Sequence, residues 1–291
     1  MTKFYDDGFR LVRAANGAVF LKSNILSCPH GFSTRLGGVS ALPHTASMNL
    51  AFGRGDDDTT VLRNLELFSE AVGLRPESVI SLRQIHSADV LIVGEADAGA
   101  GYYSKQDSEA ADGYVTVSQR VTLGIKTADC VPILFEDPSK NIVGAVHAGW
   151  RGTAAGIVRV CIRKMTSLGA SPENIRAAIG PAICFGCYEV GDDFAESFHE
   201  LAVSSDAAAG HHQLPEVDRF IRIPENSADG RLHADIVGWN RELLLSEGVL
   251  PENIAISSFC TMENPDLFYS HRYSEGKRGT MLSVISPRRS M

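Results

Sequence analysis

The sequence predicts an α+β fold. Three observations carry that expectation. β-branched apolar runs of strand length come in adjacent groups, helical runs are interspersed among them without a regular strand–helix alternation, and no polar linker divides the chain. The 291 residues are 44% hydrophobic and 21% charged, a globular composition long enough to bury a large core. One domain spanning 1–291 is therefore expected.

The elements follow in order. The stretch to about residue 51 is rich in Gly, Ser, Pro and Asn and reads as short strands and loops. Asp56-Asp57-Asp58-Thr59 supplies cap oxygens and negative charge for a helix start. Val61, Leu62, Leu65, Phe68 and Val72 follow at helical spacing, and Gly73 is the stop. Residues 78–82 and 89–93 read as strands on either side of Gln84-Ile85-His86-Ser87. The polar run 94–111 is a long surface connection, readable either as a lid or as a tolerated insertion. Strands are expected at 114–117, 121–126, 131–135 and 142–146, with a hairpin-type turn at Asp137-Pro138-Ser139-Lys140-Asn141. A helix opening near Gly152-Thr153 carries Ile157, Cys161, Met165 and Leu168 on one face and ends at Gly169. A strand at 175–179, helices at 192–201 and 235–247, and late strands at 254–257, 267–269 and 281–285 complete the reading; Gly248 stops the last helix.

Charge and composition narrow the function classes. A net charge of -8 argues against a general nucleic-acid binder or a basic membrane-surface protein, while leaving room for a local cationic cleft. No run approaches the roughly 20 apolar residues of a membrane span. The opening Met1-Thr2-Lys3-Phe4-Tyr5-Asp6-Asp7 lacks the apolar core of a secretory signal, so a cytoplasmic setting is expected. Six cysteines are too sparse to form a disulfide framework.

Three separated residues carry the chemistry: His86, Cys130 and His147. Two imidazoles and one thiol are the ligand set of an open catalytic zinc site, in which a fourth position is left for water or substrate. Cys130 and His147 bracket two strands joined by a short turn, so a hairpin brings thiol and imidazole together; His86, at another strand end, completes the trio. Asp129 is placed to accept a histidine N–H or to take a proton from bound water. The bland alternative is a surface histidine at each strand end and an inert core cysteine. In Ala148-Gly149-Trp150-Arg151-Gly152 the glycines allow close backbone approach to a ligand, the helix start that follows can hold an anion, and Arg151 adds a fork-shaped cation; an ordinary tight turn with a solvent-facing Arg is the alternative. Arg35, in the Gly-rich turn Phe32-Ser33-Thr34-Arg35-Leu36-Gly37-Gly38, is a second anion contact or simply part of a turn. Cys184-Phe185-Gly186-Cys187 has no matching second pair, so packing is expected there rather than a structural zinc site. His211-His212 reads as a solvated loop.

Gln84-Ile85-His86-Ser87, Thr127-Ala128-Asp129-Cys130-Val131-Pro132 and His147-Ala148-Gly149-Trp150-Arg151-Gly152 resemble the polyphenol-oxidase or laccase-domain family, also called YfiH-like. The resemblance extends over nearly the whole chain, through Gly37-Gly38-Val39-Ser40, Asp112-Gly113, Gly180-Pro181-Ala182-Ile183, Cys187-Tyr188-Glu189-Val190 and Cys260-Thr261. It implies that His86, Cys130 and His147 are both the metal ligands and the catalytic trio, with Gln84 and Arg272, in matching motifs, as substrate contacts; Arg35, Arg151 and the turn from Gly149 to Gly152 are the phosphate candidates read from the residues themselves. Departures are Cys184, where a glycine is usual, and Thr280, where an arginine is common. The resemblance further implies a layered α/β/β/α sandwich with mixed sheets, usually monomeric. It implies phosphorolysis of adenosine, inosine and methylthioadenosine, with adenosine deamination in some members.

Several functions compete on the same atoms. A multicopper oxidase needs many histidines, typically in His-x-His pairs; this chain has nine histidines and no such pair. Copper at the single trio remains open as a source of weak phenol oxidation. A metal-free cysteine enzyme would use Cys130 as nucleophile and a histidine as base, for example on peptidoglycan precursors; a second histidine favours a metal. A non-enzymatic metal-binding module has no aromatic patch to support it. The preferred reading is a zinc-dependent purine nucleoside phosphorylase with a deaminase side activity. Its partners are a purine nucleoside and phosphate, with no nucleic acid and no membrane. Asp129 would be the proton carrier in the deamination, where a zinc-bound water attacks the purine carbon bearing the amine.

Overall fold

The computed structural model describes residues 8–104, 110–209, 216–225 and 230–289. His211-His212 lies outside them. Among the described residues the strands in chain order are β1 (Phe9–Arg13), β2 (Val19–Ser23), β3 (His30–Ser33), β4 (Val79–Ile80), β5 (Val90–Ile92), β6 (Gly113–Thr116), β7 (Thr122–Thr127) and β8 (Val131–Asp137). There follow β9 (Ile142–Ala148), β10 (Arg176–Ile179), β11 (Glu189–Val190), β12 (Ile221–Arg222), β13 (Leu232–Ala234), β14 (Ile254–Ile256) and β15 (Met281–Ile285). The helices are α1 (Asp58–Val72), α2 (Trp150–Ala154), α3 (Ile157–Ser167), α4 (Asp192–Ala209) and α5 (Ile236–Ser246).

Two six-stranded mixed sheets run β1-β2-β3-β15-β7-β4 and β14-β10-β8-β9-β6-β5. They face each other through Leu21, Phe32, Leu123 and Ile125 on one side and Tyr114, Leu134, Val143 and Ala145 on the other. Along β8 the side chains alternate, as the period of two demands: Leu134 enters this inter-sheet layer, while Val131, Ile133 and Phe135 face the helices. Outside the second sheet lie α3 and α5, contributing Ile157, Cys161, Met165, Trp239 and Leu243. Outside the first lies α1, whose Val61, Leu65 and Phe68 pack on Phe20, Leu282 and Val284. The architecture is thus α+β, layered α/β/β/α. The central hairpin β8–β9 is buried along its whole length, hence its unbroken apolar character.

The hairpin turn is built as its residues suggest. Asp137 Oδ1 accepts from Ser139 N at 2.9 Å and Lys140 N at 3.2 Å, and Asn141 adopts φ 54°. The resulting register pairs Pro132 with His147, so Cys130 leaves the sheet beside that histidine.

Some elements differ from expectation. The helix expected from Gly152 to Leu168 is two helices, broken at Gly156 in the left-handed region, φ 75°. The apolar stripe runs through both, so periodicity alone does not show the break. The strand expected at 78–82 is only Val79–Ile80, because a 3-10 turn at Pro76–Ser78 takes up its start. Residues 267–269 form no strand: Leu267 and Phe268 donate to Asn264 O, and Phe268 and Tyr269 plug the core from a turn. The described part of 94–111 is anchored to the core. Ala100 is buried, Tyr102 donates its hydroxyl to Leu50 O, and a Cβ on Gly101 would lie 2.1 Å from Ser81 O. The small sheet β11-β13-β12 has strands of two and three residues, too short to show a pattern in sequence.

Candidate metal centre and active site

His86, Cys130 and His147 converge. One donor atom from each lies within 4.8 Å of the others. Cys130 Sγ is 4.0 Å from His86 Nε2, and the two imidazoles meet edge to face with centroids 4.8 Å apart. His86 (φ 60°) and Asp129 beside Cys130 (φ 91°) hold the left-handed backbone that side chains normally avoid, as turns forced to aim a functional group often do.

A buried carboxylate organises the centre. Asp112 Oδ1 accepts from His147 Nδ1 at 2.8 Å, which turns His147 Nε2 toward the donor cluster. The same carboxylate accepts from the amides of Ile85 (3.1 Å), His86 (3.0 Å) and Ser87 (2.7 Å), shaping the loop that presents His86. This is the carboxylate–histidine arrangement that fixes ring orientation at metal sites. Burial pushes the Asp112 carboxyl up, but the His147 hydrogen bond and the loop amides together hold it below its usual value. Burial alone would raise the Cys130 thiol; the adjacent His147 and then His86 outweigh it and bring it down to about 6. His147 moves the opposite way, to about 9, because Cys130 and Asp112 overcome the cost of burial.

Gly149 explains part of the Gly-rich run. A Cβ there would lie 2.7 Å from His86 Cδ2, 3.3 Å from Cys130 Sγ and 3.4 Å from His147 Cε1. Only a glycine leaves the space between the three donors open. A thiolate, two imidazoles and an open fourth side fit a four-coordinate divalent ion.

Two chambers meet at these donors. The first, about 290 Å³, is lined by Arg54, Arg83, Lys126 and Arg278 together with His86, Cys130 and His147. Burial and the neighbouring Arg54 lower Lys126 to about 8, and the same causes lower Arg278 to about 10. The second, about 450 Å³, is lined by Trp150, Ile183, Tyr188, Arg151 and Arg272, with His86 and Cys130 again in its wall. Both fall near the size range of small-molecule sites.

The remaining sequence-predicted residues separate by position. Gln84 lines the first chamber, but its amide is used to clamp β7: Nε2 donates to Lys126 O at 2.7 Å and Oε1 accepts from Lys126 N at 2.8 Å. Arg151 stacks on Trp150 at 4.2 Å, and Arg272 donates to Glu189 O at 2.9 Å; both border the second chamber. Asp129 also lies there, yet it touches neither histidine. It accepts from Thr261 Oγ1 at 2.6 Å and Arg272 N at 2.7 Å, and the histidine-orienting position belongs to Asp112. Arg35 borders a separate cavity, donates to Ala46 O and Pro265 O, and lies over Tyr269. The helix after Gly149 is only five residues long. Sequence reasoning did not assign roles to Asp112, Lys126, Arg54, Arg278 or Tyr188. Lys126 had a signal, being the single charge in a β-branched run.

Comparison with known proteins places the chain in a family. The chain is 38% identical over 276 residues to a purine nucleoside phosphorylase of Deinococcus radiodurans, covering 94% of this chain and 96% of that one. It is 33% identical over 242 residues to adenosine deaminase RL5 from an unknown prokaryotic organism, covering 83% and 87%. The crystal structure of YlmD from Geobacillus stearothermophilus superposes with a TM-score of 0.81 at 33% identity, covering 96% of this chain and 99% of the other. The family model described as multi-copper polyphenol oxidoreductase laccase matches residues 29–288, and the chain belongs to that laccase-like family, among whose members are enzymes of purine nucleoside chemistry.

Proposed function

We propose that the chain, 1–291 acting as one cytoplasmic catalytic unit, is a zinc-dependent purine nucleoside phosphorylase. It accepts adenosine, inosine and methylthioadenosine and deaminates adenosine as a side activity. The observation that carries this reading is the position of the Cys130–His86–His147 donor set, at the junction of a cation-ringed chamber and one walled by aromatic rings.

Phosphorolysis needs an anion held against the anomeric carbon of ribose while the bond to the base loosens. Lys126, Arg54 and Arg278 supply the charge for phosphate in the first chamber. Trp150 and Tyr188 offer flat apolar surface for the purine in the second. The sugar then spans the donor set between them, so that phosphate approaches the anomeric carbon from one side as the purine base departs from the other. Cys130, His86 and His147 would hold a zinc ion, which would supply Lewis-acid polarisation and a water of lowered pKa. Asp112 keeps His147 Nδ1 protonated and its Nε2 aimed at the donor cluster. Asp129, through Thr261 and the Arg272 amide, positions the turn that carries Cys130.

Zinc is favoured over a multicopper centre by donor counting. Among the described residues the two groups of donors close enough to share an ion hold two histidines and none. The test is product analysis with metal content on one preparation. Adenosine and inosine are incubated with and without phosphate, and base, ribose phosphate and ammonia are identified. Phosphate-dependent release of base, abolished in Cys130→Ala and accompanied by zinc, is expected. Full turnover in Cys130→Ala overturns the scheme, and absence of any metal moves the chemistry to the cysteine alone.

A further inference from the structure

We propose that Cys184, Cys187, Cys260 and Glu263 form a second metal site, a structural zinc site that ties together the two loops beneath the nucleoside chamber. The four residues place one donor atom each within 4.8 Å of one another. Cys184-x-x-Cys187 lacks a partner in the sequence only because its partner pair, Cys260-x-x-Glu263, begins 76 residues beyond Cys184. Two pairs at matched spacing, each on a tight turn, are how four-coordinate zinc sites are assembled from separate loops.

The local structure supports ligation rather than packing. The first pair caps and closes the 3-10 turn Phe185–Cys187, in which the amides of Cys187 and Tyr188 both donate to Cys184 O, at 3.1 and 3.0 Å. In the second, Asn264 N donates to Cys260 O at 3.1 Å. The loops are held in register by the Ala182–Cys260 bridge and by Thr261 N donating to Ala182 O at 3.0 Å. Cys260 Sγ already accepts from the Cys184 amide at 3.4 Å, the kind of outer hydrogen bond that supports a metal thiolate. The Cys187 thiol lies 3.6 Å from Glu263 Oε1, within the spacing of about 3.5–3.7 Å that a Zn–S bond of about 2.3 Å and a Zn–O bond of about 2.0–2.2 Å impose on tetrahedral ligands. Three sulfurs and one carboxylate select a borderline ion such as zinc over harder or softer ones. All the cysteines are free thiols.

Such an ion would fix two walls of the proposed active site. Ile183 and Tyr188, on the first loop, line the second chamber. Thr261, next to Cys260 on the second loop, holds the Asp129 carboxylate.

The experiment counts zinc and thiols on protein purified anaerobically without reductant and then freed of loose metal. Two zinc ions per chain are expected in the wild type, and one in Cys130→Ala, which retains this site alone. Cys187→Ser in that background removes the remaining ion. All six thiols of the chain titrate after denaturation without reductant. Cobalt loaded into Cys130→Ala gives thiolate-to-metal charge-transfer absorption. A Cys130→Ala protein, folded by circular dichroism, that holds no zinc and shows no cobalt–thiolate band overturns the proposal. So does the release of only four thiols, which would mean a disulfide.

Discussion

Asp112 receives five hydrogen bonds, three from consecutive backbone amides, one from Ser87 Oγ and one from His147 Nδ1. Replacing it with Asn substitutes an N–H donor for one acceptor and removes the charge that favours a protonated Nδ1. Loss of an outer carboxylate partner at a metal site typically costs 10–100-fold in affinity. Zinc competition with a chromophoric chelator should show a weakening of about that size in Asp112→Asn, and unchanged affinity would remove Asp112 from the positioning role. His86, Cys130 and His147 are legible in sequence because each sits in a short local motif with unusual residue types. Asp112 is not, because its importance comes from partners 25 to 35 residues away in the chain, which only the fold brings to it.

At the scale of elements, legibility follows the strength of the local signal. Helix α1 is readable from its acidic start, its apolar period and Gly73, which takes φ 82° at the C-terminal cap. Helix α5 likewise follows Asp235, whose side chain accepts from Gly238 N. Strands of two or three residues carry no such pattern, and the apolar run at 267–269 is buried by a turn, a burial that hydrophobicity cannot distinguish from a strand. The break at Gly156 is hidden by a stripe that continues on both sides, though it has a physical consequence. It frees α2, which begins beside Gly149 and carries Trp150 and Arg151, from the direction of α3. An alanine at φ 75° pays the left-handed penalty of roughly 1–2 kcal/mol. Urea denaturation of Gly156→Ala should show a loss of about that size; equal or greater stability would mean that α2 and α3 tolerate fusion.

The whole molecule also responds to pH through a residue far from the site. His30, on β3, is fully buried; its Nε2 accepts from Ser23 N at 3.0 Å and its Nδ1 donates to Cys28 O at 2.8 Å. Burial lowers it from 6.5 to about 4. The unfolded chain therefore takes up a proton near pH 6.5 that the folded chain refuses until about pH 4. Stability from this group is complete above pH 6.5 and is lost as pH falls between those values, by about 3 kcal/mol in all. Urea midpoints measured from pH 7.5 to 4.5 should fall less steeply in His30→Gln than in the wild type. Parallel curves would assign acid sensitivity elsewhere.

The charge distribution sets the last expectation. The chain carries -8 overall, yet Arg54, Arg83, Lys126 and Arg278 surround one chamber, each from a different stretch of sequence. Net charge therefore could not reveal the basic cleft, nor could any local motif. At physiological salt the Debye length is about 8 Å, so an anion inside the chamber responds to these cations far more than to the acidic surface. Lys126 is the variable member, because burial holds it at about 8 while arginine stays charged throughout the working range. Below pH 8 it is an ammonium; as pH rises through 8 it loses its charge and, in the proposed scheme, its grip on phosphate. Phosphate is already mostly the dianion at pH 7.5, and its remaining ionisation adds negative charge, which favours rather than opposes a cationic chamber. The KM for phosphate should rise between pH 7.5 and 9 in the wild type and stay nearly flat in Lys126→Arg. In Lys126→Met it should be raised about tenfold or more at pH 7, in keeping with the roughly 1.5–3 kcal/mol of a charged hydrogen bond, while the KM for the nucleoside changes little. A phosphate KM indifferent to all three conditions would place the anion outside this chamber.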